Sequence, residues 1–99
     1  MIRIICINKS EGYHDNPHEA VSFYGWISDE NQKKGKTDRI TMVDWIKNKK
    51  GIAYVTDKND NKVYCYVNRS VNGTEFLQTQ SDGRFTNNLL ELPECQTLI

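Results

Sequence analysis

Side chains able to do chemistry are few and scattered along the chain. His14, Asp15 and His18 set two imidazoles four residues apart around a carboxylate, a donor set that zinc accepts. Asn16-Pro17 interrupts them, however, and the polar, turn-rich stretch from Asn8 to Glu19 reads as a loop, so exposed loop histidines are the simpler reading and no metal or other cofactor is expected. Asn16 to Glu19 has an alternative reading as a short helix start, with Asn16 as cap and Pro17 in the first position. Cys6, Cys65 and Cys95 form an odd count without C-x-x-C spacing, which argues against a disulfide framework and a zinc ribbon. Cys6 and Cys65 sit in apolar runs, where a reduced cysteine acts as a small buried hydrophobe. There is no G-x-S-x-G elbow, and the six glycines never group into a phosphate-cradling loop. The neighbouring carboxylates Asp29-Glu30 and Asp57 with Asp60 lie in turns beside lysines, as solvated charges do. On these absences the chain is read as non-enzymatic.

Recognition chemistry is better represented. Tyr24, Trp26, Tyr64 and Tyr66 are candidates for a sheet face left open by a small two-layer domain, where aromatic rings stack on planar ligands or anchor protein interfaces. Arg69 follows the Tyr64-Tyr66 stretch, and Arg84 with Thr79, Asn87 and Asn88 gathers donors around a late turn, a combination suited to holding a phosphate by charge-assisted hydrogen bonds. The structural alternative is that these aromatics are core or subunit-interface residues and that Asp82, Gly83, Asn87 and Asn88 merely form turns. The two arginines separate the readings, because only ligand binding requires them.

The elements that must position these residues follow from pattern. Ile2 to Ile7 is apolar on both faces and reads as an interior strand, with Ile4 and Cys6 facing one way and Ile5 and Ile7 the other. Ala20 to Ile27 is aromatic and alternating, a second strand. Ser28 to Asp38 has no apolar residue and reads as a solvated connection. Arg39 to Val55 carries the clearest pattern: Thr41 as N-cap with Asp44 closing a capping box, a stripe of Met42, Val43 and Ile46, Trp45 beside it, and Gly51 as a left-handed stop. Ile52 to Thr56, Lys62 to Asn68 and Thr74 to Thr79 then read as three strands joined by polar turns, the last after Asn72-Gly73. Leu89, Leu90, Leu92 and Pro93 form an apolar tail. The expected fold is α+β: one domain over residues 1–99, with a mostly antiparallel sheet of about five strands covered by one helix in the order β-β-α-β-β-β.

The stretches DRITMVDWIKNKKGIAYVTD and FLQTQSDGRFTNNLLELP carry a resemblance to a small bacterial and phage family of unknown function, the domain family numbered 3892. Its pattern runs T-R-x-E-M-V-D-W-I, G-x-A-Y-V and Y-I-R-T-x-A-D-G-x-W-T-D-N-L-L. Arg39 to Pro93 follows it, and Trp26 fits a tryptophan placed before the polar connection. Thr41 replaces the acid, Gln78 the arginine, Phe85 the tryptophan and Asn87 the aspartate, so an anion site at Gln78 is weakened. The resemblance implies one compact domain and no activity.

Composition bounds the remaining choices. Ninety-nine residues make one domain, and 37% hydrophobic with 26% charged residues belong to a soluble globular protein. No apolar run approaches the roughly 18 residues of a membrane span, and MIRIICIN lacks the features of a secretory signal, so a cytoplasmic protein without membrane partners is expected. Thirteen basic and thirteen acidic residues cancel, leaving no global field for extended nucleic acid. The expected function is sequestration or sensing of a small anionic, nucleotide-like ligand. The phage association of the resemblance extends this to a counter-defence protein. The alternative is a protein interaction module or inhibitor, or a homo-oligomer, acting through the open sheet face.

Overall fold

A computed structural model describes residues 1–9, 20–81 and 83–95. Among the described residues, seven strands and one helix follow in chain order: β1 (Ile2–Lys9), β2 (Val21–Ser28), β3 (Lys34–Asp38), α1 (Arg39–Asn48), β4 (Ala53–Thr56), β5 (Lys62–Arg69), β6 (Glu75–Ser81) and β7 (Arg84–Thr86), then a 3-10 turn at Asn88–Glu91. They form a single sheet in the order β3-β2-β1-β4-β5-β6-β7, antiparallel throughout except for the parallel pair β1–β4. That pair makes α1 part of the crossover between the two sheet halves, since a parallel connection cannot be a tight turn.

The α+β class and the mostly antiparallel sheet stand as expected; the strand number and order do not. β3 lies inside the apolar-free stretch that reads as a connection. It is an edge strand, paired to β2 from Phe23↔Asp38 to Ile27↔Lys34, and hydrophobic periodicity cannot reveal a strand whose sequence is Lys-Gly-Lys-Thr-Asp. Its lysines also suit an edge, because charge discourages pairing with other chains. β7 adds a three-residue strand beyond the Gly83 turn, where Gly83 takes φ 78°.

A β-bulge separates Ile4↔Trp26 from Cys6↔Gly25. The extra residue resets the alternation, so Ile4 and Ile7 share the helix-covered face with Tyr24 and Trp26 while Cys6 turns to the outer face. This overturns the simple alternation expected for β1. The core on the helix side joins Ile2, Ile4, Ile7, Val21 and Tyr24 to Val55, Val63, Cys65, Leu77 and Leu89, with Met42 and Val43 of the helix pressed on them. Tyr24 is wholly buried, and its hydroxyl accepts a hydrogen bond from the Leu77 N–H at 3.3 Å. Since β2 and β6 are separated by three strands, this bond shows how far the sheet curls around its core.

The helix begins earlier than its capping box implies. Asp38 is the N-cap, accepting from the Thr41 N–H at 3.2 Å, so Thr41 is an interior residue. Asp38 is the better cap because its carboxylate answers both an orphan N–H and the helix dipole. At the other end Lys50 takes the left-handed conformation, φ 58°, and both Lys49 and Gly51 donate their N–H to the Trp45 carbonyl. Glycine is required at position 51 for a different reason: a Cβ there would lie 2.2 Å from the Trp45 ring. Arg39 donates to the Glu75 carbonyl at 2.5 Å and Lys47 to its carboxylate at 2.8 Å, tying the helix to β6.

Cys6 and Cys95 are bonded as a disulfide on the outer face, against Gly25, whose absent Cβ leaves room for both sulfurs. The pair corrects the reading of Cys6 as a free hydrophobe. The two are 89 residues apart and meet only because the C-terminal segment adds a parallel bridge, Ile7↔Glu94, beside β1. Cys65 is free and buried, and burial pushes its thiol up to about 12. No helix among the described residues is long and apolar enough to cross a membrane.

Candidate ligand-binding site

Strand alternation divides the residues singled out by sequence. Tyr64 and Tyr66 lie on the outer face at 38% and 47% exposure, whereas Tyr24 is in the core and Trp26 is half-buried on the helix-covered side. The four rings therefore do not share an open face. Arg69 and Arg84 are exposed, yet each has odd register relative to the tyrosines: Arg69 pairs with Glu75 and Arg84 with Ser81, in line with Leu77 and Thr79 on the opposite face. Thr79 is fully buried and shares a 2.6 Å hydrogen bond with the Thr86 hydroxyl. Asn87 is exposed and precedes the 3-10 turn without capping it, and Asn88 is the first residue of that turn. The late turn is thus not joined to the tyrosines as a phosphate clamp. His14, Asp15, His18 and Asp82 lie outside the described residues. Among the described residues, no group of three His, Cys, Asp or Glu side chains is placed to hold a metal.

A cleft forms elsewhere, between α1 and the β2–β3 hairpin, with a volume of about 420 Å³. Its apolar walls are Met1, Ile2, Met42 and the two tryptophans of the chain, Trp26 and Trp45. Both indoles rest on glycine. Trp26 faces Gly35 across the β2–β3 ladder, and a Cβ at Gly35 would stand 2.3 Å from the ring; Gly51 underlies Trp45 in the same manner. A ring seated on bare backbone is backed on one side, which fixes its plane and leaves its other surfaces for the cleft. The Trp26 Nε1–H is spent inside the protein, donating to the Thr37 hydroxyl at 3.0 Å. The Trp45 Nε1–H has no partner among the described residues.

Among the described residues the cleft is lined by three cations, the Met1 ammonium, Lys33 and Lys49, against two carboxylates, Glu30 and Asp44, and they are unevenly engaged. Glu30 receives the Met1 ammonium at 2.6 Å and the Ser28 hydroxyl at 2.8 Å, and these bonds, the ammonium first, hold its carboxyl down to about 2. Asp44 accepts from the Asn48 amide at 2.7 Å and faces Lys49 at 3.8 Å. The ammonium of Lys33 has no partner among the described residues, and Lys49 holds only its long contact to Asp44. The charge left available at the mouth is therefore positive. Ser28, Thr37 and Thr41 supply hydroxyls, and among the described residues no imidazole or thiol lines the cleft.

Sequence reasoning placed Trp26 among the site residues and treated Trp45 as a helix-packing residue. The signal for the second was available: a tryptophan followed six residues later by glycine has the spacing of a ring folded back over a helix C-terminus. Lys33 had no such signal, because a lysine in a polar turn has no distinguishing pattern.

A family model described as Protein of unknown function (DUF3892) matches residues 3–93. No curated protein and no solved structure matches the chain. Met42, Asp44, Trp45 and Gly51, all within the stretches that carry the resemblance to that family, build one wall of the cleft or support it.

Proposed function

We propose that the chain, which belongs to this family of unknown function, is a non-catalytic binding protein for a small, flat, anionic molecule of nucleotide-like size, held between Trp26 and Trp45. The observation that carries this reading is the pair of glycine-backed indoles in one cleft. A volume of about 420 Å³ falls in the range of small-molecule sites, roughly 300–1,000 Å³. Aromatic rings held in place lose little freedom on binding, so the stacking energy of a planar group is retained rather than spent on ordering the site. The acids at the rim are already bonded, and Lys33, Lys49 and the Trp45 Nε1–H remain as donors, which favours a ligand with a negative charge at one end.

The reading keeps the ligand class that the sequence suggests and moves its site from the late turn to the helix. A thermal-shift panel of nucleotides, cyclic nucleotides and the matching nucleosides is the direct test. Stabilisation by an anionic member, weaker with its nucleoside and lost in Trp45→Ala and Lys33→Glu, is the expected outcome. No stabilisation by any member at about 100-fold above a micromolar dissociation constant, where a shift of several degrees is due, removes the proposal.

A further inference from the structure

The outer face carries a second, independent arrangement. One register row crosses it from Tyr54 to Tyr64, Gln80 and Phe85, and the next holds Tyr66 opposite Gln78. Tyr64, Tyr66 and Phe85 are 38%, 47% and 46% exposed. The strip is braced from one side: the Tyr54 ring stands 6.2 Å from that of Tyr64, its hydroxyl donates to the Asp29 carboxylate at 2.9 Å, and the Lys62 ammonium sits 4.8 Å over it. Gln80 lies between Tyr64 and Phe85, and its amide has no partner among the described residues.

We propose that this strip of β5, β6 and β7 docks a proline-rich peptide in the polyproline II conformation. Two ladders separate Tyr64 from Phe85, roughly 10 Å between their Cα atoms. A polyproline II helix returns to the same face every three residues, about 9.3 Å. Prolines at i and i+3 therefore fall on Tyr64 and Phe85, with the Gln80 amide between them. Polyproline II has no internal hydrogen bonds, so its carbonyls are free to accept from that amide and from the tyrosine hydroxyls. Tyr66, two residues along β5 and roughly 7 Å from Tyr64, flanks the strip beside the intervening residue.

Two other occupants fit less well. Single-stranded nucleic acid needs cations tracking its backbone beside the stacking rings, but Arg69 and Arg84 belong to the opposite face and Lys62 is drawn over Tyr54. A globular partner needs about 800 Å² on each side. Three half-exposed rings offer roughly 300 Å², sufficient for an extended peptide and too little for a stable dimer.

The experiment is a titration of the isotopically labelled full chain with a ten-residue oligoproline, followed by amide chemical shifts, with a Gly-Ser peptide of equal length as control. Saturable shifts confined to β5–β7 are expected, weakened at least tenfold by Tyr64→Ala and by Phe85→Ala, and kept within about threefold by Tyr64→Phe, which retains the ring. Both alanine changes are at exposed positions, and the spectrum itself reports that the fold is intact. Absence of saturable shifts up to about 1 mM, or shifts that survive both alanine changes, overturns the proposal. So does saturation of the strip by an oligothymidylate or a neutral β-linked oligosaccharide where oligoproline gives none. Trp26→Ala and Trp45→Ala leave oligoproline binding unchanged, so failure here is separable from failure of the cleft.

Discussion

Tyr24→Phe removes one oxygen from the centre of the protein, and its effect can be worked from the structure. The ring remains, so no cavity of consequence opens, and the loss is confined to the acceptor that the hydroxyl offers to the buried Leu77 N–H. An ordinary hydrogen bond contributes about 0.5–1.5 kcal/mol net, and a buried group deprived of its partner costs about 1–3 kcal/mol. The bond is long at 3.3 Å, which places the expected loss at about 1–2 kcal/mol. For a domain of this size each kcal/mol moves Tm by about 4–8 °C, so a fall of about 4–16 °C is predicted. Calorimetry of Tyr24→Phe beside Tyr64→Phe, an exposed control, is the measurement. Ligand stabilisation should be retained in Tyr24→Phe, since Tyr24 does not line the cleft. If the two variants melt together, or if Tyr24→Phe loses ligand response while keeping its Tm, Tyr24 is not the clasp between β2 and β6.

Gly35→Ala and Gly51→Ala each push a methyl into an indole, and overpacking of this kind costs about 1–3 kcal/mol; both should lower Tm and shift tryptophan emission, whereas Gly73→Ala, with open space around it, should leave emission unchanged. Cys95→Ser, or reduction of the wild type, releases a closure spanning 89 residues and should cost about 2–5 kcal/mol, read as a lower denaturation midpoint under reducing conditions; equal midpoints in oxidised and reduced protein would show the closure to be energetically idle. Alkaline pH should destabilise the chain. Cys65 has its folded-state pKa raised from 9.0 to about 12, and Tyr24 is likewise raised by burial, so both favour the folded state fully below their ordinary values and lose that contribution as pH rises through the folded ones. A stability profile that is flat from pH 9 to 12 contradicts this assignment, as does rapid labelling of the native Cys65 thiol at pH 8, since only the thiolate reacts.

Much of the fold was legible because burial leaves periodic marks. Val63, Cys65 and Val67 alternate with Tyr64 and Tyr66 as β5 requires, and the apolar stripe of α1 announced a docked helix. What escaped was structure without apolar content. β3 gains its stability from ladder hydrogen bonds to β2 and leaves no hydrophobic trace. The bulge at Ile5 was invisible for a related reason: every residue there is apolar, so no polar position registers the slip that turns Cys6 outward. The disulfide depends on the C-terminal segment lying beside β1, a contact across the whole chain.

The site was only partly readable. Tyrosine and tryptophan in alternating strands have one appearance whether they face core or solvent, and only register separates Tyr24 from Tyr64. Placing Arg69 and Arg84 with the tyrosines failed on the same point, since each is offset by one residue from that face. The helix supplies Trp45 to the cleft over a glycine six residues beyond it, and in the sequence that glycine reads equally as a helix stop.

Tryptophan fluorescence tests the central claim most directly, because the chain has two tryptophans and both line the cleft. A nucleotide stacked between them must alter their emission, saturably and with the same midpoint as its thermal stabilisation. Saturable quenching by an anionic nucleotide, abolished by Lys33→Glu without loss of fold, is the predicted result. A nucleotide that stabilises the protein while leaving tryptophan emission unmoved would place the site elsewhere and contradict the account.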